Sequence, residues 1–145
     1  MAIRYSIIDA NSWEPVNIVH TGKGKAEWIQ CPDTRRQCLA KYPRIRENGD
    51  IVGLHWAEKT SSELACALEI PVQKVDLGLY NSTQVALCDR FTIGYQMKHG
   101  ESIIDGAHTF FEIAERLNDD DIINRFLEML VFDALIGNQD RHERN

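Results

Sequence analysis

Gly137-Asn138-Gln139-Asp140-Arg141-His142-Glu143-Arg144-Asn145 sets an Asp and an Asn five positions apart, with a His between them. The stretch follows directly on an apolar run. Ile122, Ile123, Phe126, Leu127, Leu130, Val131 and Ala134 recur at helical spacing, which predicts a helix over residues 121–135 with a wide apolar face. Asn118-Asp119-Asp120-Asp121 supplies its cap, with side-chain oxygens for the first orphan N–H groups and negative charge at the positive end of the helix dipole. An isolated Asp in a polar loop is most often a solvated turn residue. Asp140 is set apart by its offset from Asn145, by His142, and by the helix that delivers the loop.

Working back toward the N-terminus, residues 107–117 form a shorter helical stretch and residues 92–106 read as a linker. Residues 72–80 and 83–90 read as two strands of a hairpin across Asn81-Ser82. Before them, Trp56, Leu64, Ala65 and Leu68 fall along one side of a helix that begins near His55 and is stopped by Pro71. Residues 26–31 and 37–42 are strands joined by the turn Pro32-Asp33-Thr34-Arg35, and residues 3–8 and 16–20 are further strand candidates. Residues 45–53 mix charge with Asn-Gly and predict a mobile loop. The predicted fold class is therefore α+β: a mostly antiparallel sheet with one helix, a strand exit, then helices.

Hydrophobic residues at 43% and charged residues at 26% are those of an ordinary globular protein, and 145 residues suffice to bury a core. A net charge of −6 argues against nucleic-acid or membrane-surface binding, which favours a basic face. No apolar run reaches the ~20 residues of a membrane span, and Met1-Ala2-Ile3-Arg4-Tyr5 lacks a signal peptide's basic start. Cys31, Cys38, Cys66 and Cys88 form no C-x-x-C pair, so free thiols and a cytoplasmic location are expected.

In protein kinases, an Asp of the catalytic loop accepts the substrate hydroxyl proton and an Asn five residues on holds magnesium. The order Asp-Arg-His-x-x-Asn resembles the loop of HipA-type kinases and of phosphatidylinositol 3/4-kinases. Three further stretches resemble the HipA-like side in the same order. Cys38-Leu39-Ala40-Lys41-Tyr42-Pro43 is similar to the strand bearing the nucleotide-binding Lys, and Trp56-Ala57-Glu58-Lys59 with Glu69-Ile70-Pro71 to the helix and its exit turn. Val85-Ala86-Leu87-Cys88-Asp89-Arg90-Phe91 is similar to the strand that leads into the hinge. The resemblance implies a small lobe over residues 1–91, a hinge or linker over 92–106, and the start of a helical large lobe over 107–145. The family's second metal-binding Asp has no counterpart here. The 145-residue chain is thus expected to be an inactive N-terminal fragment of a kinase.

The resemblance assigns roles residue by residue. Asp140 is the base, His142 supports the loop or the reacting group, and Asn145 holds Mg2+, an amide oxygen being a suitable hard ligand. Lys41 anchors the phosphates of ATP, and its carboxylate partner is Glu58 in preference to Glu63. These two differ by about 140° around a helix, so one cannot replace the other. Gly22 and Gly24 could bring backbone amides to the phosphates, although Gly-Lys-Gly-Lys is also what a hairpin turn looks like. Asp89 and Phe91 are expected beside the adenine, through their backbone. Asp133 is expected to be buried and hydrogen-bonded in the last helical turn.

The expected activity is transfer of the ATP γ-phosphoryl group to a protein Ser/Thr hydroxyl, in a toxin-antitoxin setting, with a protein substrate and an antitoxin-type or HipA-like partner protein. A lipid kinase of the phosphatidylinositol 3/4 type shares the loop order. A non-catalytic module that binds a nucleotide or a partner kinase is the alternative outside that class. A metal hydrolase using Asp140 and His142 lacks further ligands at suitable spacing.

Overall fold

The computed structural model describes residues 5–18, 24–92, 102, 106, 107 and 109–138. The chain divides into two compact units, Met1–Ile93 and Gly94–Asn145. The first holds strands β1 (Ile7–Asp9), β2 (Glu14–Pro15), β3 (Ala26–Gln30), β4 (Gln37–Lys41), β5 (Arg44–Ile45), β6 (Ile51–Val52), β7 (Val75–Tyr80) and β8 (Thr83–Asp89), with helix α1 (Leu54–Ala67) between β6 and β7. The second holds α2 (Phe110–Leu117) and α3 (Asp120–Ile136). It is an α+β fold.

Six strands form one sheet in the order β1-β7-β8-β4-β3-β2. Among the described strands only β1 pairs in parallel, Ile7 lying opposite Leu77 on β7. The β3–β4 hairpin closes at the Pro32–Arg35 turn, where the Cys31 N–H donates to the Arg36 carbonyl and the Arg35 N–H to the Cys31 carbonyl. The β7–β8 hairpin turns on Asn81 and Ser82 at φ 49° and 57°. Two consecutive left-handed residues give the turn whose twist matches the flanking strands.

Period-two alternation sorts the sheet into two faces. Ile29, Cys38, Ala40, Val85 and Leu87 pack with Trp13, Ala10 and Tyr80 on one, and Leu39, Val75, Ala86 and Cys88 pack with Ala26 and Trp28 on the other. Gly78 is required on the first face, because a Cβ there would lie 2.5 Å from the Leu87 side chain.

One expectation is corrected in this unit. Residues 45–53 contain a hairpin, not a structureless loop: β5 and β6 pair across a turn in which the Arg46 N–H donates to the Asp50 carbonyl and Gly49 takes φ 84°. Helix α1 forms where the sequence places it. Its buried residues are His55, Lys59, Ser62 and Ala65, whereas Trp56 is 47% exposed and Leu68 49%. The helix docks mainly by polar groups, and of the four apolar residues marked by periodicity only Ala65 is buried.

Helices α2 and α3 are both capped by side chains. Thr109 and Glu112 make a reciprocal capping box on α2, and Asp119 accepts from the Ile122 N–H on α3. Gly137 ends α3 at φ 67°, a conformation that costs glycine little. Asp133 is buried, and its side chain and carbonyl both accept hydrogen bonds from Asn138, at 2.8 Å each. Among the described residues, no helix is long and apolar enough to cross a membrane.

Candidate functional site

Lys41 is the last residue of β4. Its register opposite Ala86 places it on the sheet face that carries Leu39 and Cys88. Glu58 stands one turn into α1, and the Lys41 ammonium donates to its Oε1 at 2.7 Å. Cys88 Sγ lies 4.0 Å from the other carboxylate oxygen. Burial works against the Lys41 charge, yet the hydrogen bond and negative charge of Glu58 outweigh it and hold the ammonium above its usual range. The same burial, offset only in part by Lys41, pushes the Cys88 thiol up to about 12, so it stays a thiol. Lys41 remains 37% exposed and Glu58 36%. With one N–H given to Glu58, the ammonium has further donors to offer on its open side, which suits a phosphate.

Glu63 is engaged elsewhere, with Lys59 at 2.5 Å. Lys59 is nearly buried and also donates to the Val75 carbonyl at 2.8 Å and to Asp76 at 3.3 Å. Asp76 in turn accepts from Arg36 at 2.7 Å, and the Arg36 Nε donates to Asp89 at 2.7 Å. Burial alone would raise the Asp76 carboxyl, but the bonds from Arg36 hold it below the ordinary range. Cys38 Sγ, 3.1 Å from Asp89, is raised by burial and by that carboxylate. Arg36 and Asp76 carry no assigned role from the sequence. They sit 53 and 13 residues from Asp89, and only the β4–β8–β7 pairing brings them together.

The predicted site residues fall into three groups. Lys41 and Glu58 are in contact. Asp89 sits at the end of β8 with its polar groups committed: its N–H donates to the Lys74 carbonyl, its carbonyl accepts from Gln73 Nε2, and its carboxylate takes Arg36. Those bonds engage both its backbone groups with the segment just before β7. Phe91, just past β8, is 63% exposed. Gly24 is exposed, with open space where a Cβ would stand. Gly22, Asp140, His142 and Asn145 lie outside the described residues. Among the described residues, no group of three or more His, Cys, Asp or Glu could hold a metal ion.

No family model matches the chain, and no curated protein matches it. Among solved structures it is similar to the crystal structure of the Helicobacter pylori proinflammatory kinase CtkA, at a TM-score of 0.79 and 19% identity over 97% of this chain. The fold is thus kinase-like: a small lobe of antiparallel-rich sheet and one helix, followed by helices. The chain spans 54% of the length of that kinase.

Proposed function

We propose that this chain is the nucleotide-binding part of an ATP-dependent, HipA-like kinase that phosphorylates Ser or Thr of a protein substrate. The observation that carries the reading is the Lys41–Glu58 pair, 2.7 Å apart on a kinase-like sheet and helix. Phosphoryl transfer asks a protein chiefly for positioning and charge stabilisation. Lys41 would donate to phosphate oxygens while Glu58 keeps its ammonium charged and aimed. ATP would supply the transferable phosphoryl group. Asp140 would accept the proton of the attacking hydroxyl, with His142 supporting the loop, and Asn145 would contribute an oxygen to Mg2+; these three roles rest on the sequence motif. The backbone around Phe91 would face the base, and Gly24 belongs to a turn that could cover the phosphates. The partner protein would be of antitoxin or HipA-like type.

Nucleotide titration of the wild-type chain, Lys41→Ala and Glu58→Gln tests the reading. Removing the cation should weaken nucleotide binding severalfold, and Glu58→Gln should weaken it less. Equal affinity in all three would make the pair a structural ion pair with no bearing on nucleotides.

A further inference from the structure

Helix α1 is docked with its amphipathicity reversed. At 100° per residue, His55, Lys59, Ser62 and Ala65 share the side that faces the sheet, and Trp56, Leu64 and Leu68 lie on the opposite side, exposed. Of the four sheet-facing side chains, Ala65 alone is apolar. His55 is buried with neither ring nitrogen bonded. Burial of apolar area would therefore favour turning the helix the other way, and hydrogen bonds are what resist it. Ser62 Oγ donates to the Gln73 carbonyl at 2.9 Å and accepts from the Val75 N–H at 3.2 Å. Lys59 makes the charged contacts, to the Val75 carbonyl and Asp76.

We propose that Lys59 is a positioning residue for the Lys41–Glu58 pair: pinned to β7 through Asp76 and the Val75 carbonyl, it fixes the rotation of α1 at which Glu58 meets Lys41. Glu58 and Lys59 are adjacent, about 100° apart on the helix, so a turn that frees Lys59 from β7 also swings Glu58 off Lys41. Asp76 is anchored independently of α1. Arg36 holds it from the start of β4, and Arg36 is held by Asp89 at the end of β8. The rotation of α1 is thus referenced to the sheet itself. The functional weight of this lock rests on the reading of Lys41 as a phosphate anchor; the lock does not.

The test uses the acylation rate of Lys41 in the full chain, read by mass spectrometry against exposed Lys25 as internal reference and without any nucleotide. An ammonium held by a carboxylate acylates slowly, and Glu58→Gln defines the rate once that hold is lost. Lys59→Met should raise Lys41 acylation to the Glu58→Gln rate, and Asp76→Asn should move it in the same direction. Lys74→Met, which removes an exposed cation that touches Asp76 but not α1, should leave it at the wild-type rate. A Lys59→Met protein that is folded by circular dichroism and keeps the wild-type Lys41 rate overturns the proposal, and so does a rise in Lys74→Met as large as that in Lys59→Met. If Lys59→Met fails to fold, Asp76→Asn decides on the same readout. Nucleotide titration of Lys59→Met is a separate arm: loss of affinity equal to that of Glu58→Gln joins the lock to nucleotide binding, whereas a raised acylation rate with unchanged affinity keeps the lock and removes the phosphate-anchor reading.

Discussion

Replacing His55 with Leu should stabilise the first unit. The ring is 5% exposed and both of its nitrogens are buried without a hydrogen-bond partner. It lies beside Ile7, Trp56, Leu77, Gly78 and Gln84, around a space too small to hold a water. A buried polar group left unbonded costs about 1–3 kcal/mol, and an apolar side chain of similar size removes that cost. The unit Met1–Ile93 is in the size range where 1 kcal/mol moves a melting temperature by about 4–8 °C. His55→Leu should therefore raise the midpoint by roughly 4 °C at the low end and about 24 °C at the high end. His55→Gln, which keeps an amide in the same place, should give no such gain. Thermal unfolding followed by far-ultraviolet circular dichroism measures both. A lower midpoint for His55→Leu, with His55→Gln equal to wild type, would mean that the imidazole has a polar role at that position and would refute the reasoning.

Gly78→Ala should destabilise by about 1–3 kcal/mol, the usual cost of overpacking, since its Cβ would meet Leu87 of the neighbouring strand; urea unfolding checks it, and a neutral result would mean that Leu87 can move aside. Asp76 has a folded-state pKa depressed below its ordinary 3.8, so its contribution is complete above that value and is lost as pH falls through the lower folded value. Stability should accordingly drop below about pH 4 in the wild type and less steeply in Asp76→Asn, as acid titration of the unfolding midpoint would show. In an active full-length kinase, Asp140→Ala should abolish turnover while nucleotide affinity changes little, because a base acts in the transition state; retained turnover removes Asp140 from the mechanism.

What could be read from the sequence was what is local. The hairpins at residues 32–35 and 81–82, the Asp119 cap and the helical character of residues 54–67 are signalled by turn residues, caps and periodicity within a few positions. The β5–β6 hairpin was misread although Asn48-Gly49 marks it, because its strands of two residues each are too short to show alternation. The docking side of α1 is not legible in its sequence for a different reason. Periodicity weighs apolar residues, and Lys59 and Ser62 are buried by bonds to β7 that no helical pattern encodes. Lys41 and Glu58 stood out through a resemblance to a known strand and helix. Arg36, Asp76 and the bonding of Asp89 did not, since their association depends on strand pairing across 40 and 53 residues.

The parallel pairing of β1 with β7 bears on how the chain is made. Ile7 meets Leu77, 70 positions later (77 − 7), so β1 has no β7 to pair with until that strand has left the ribosome. At about 5–20 residues per second that interval is roughly 4–14 s. Throughout it, Ile7 and Ile8 of β1 wait without the β7 ladder. Antiparallel hairpins such as β3–β4 can form as they emerge, whereas β1 must wait for a strand from the far end of the same unit.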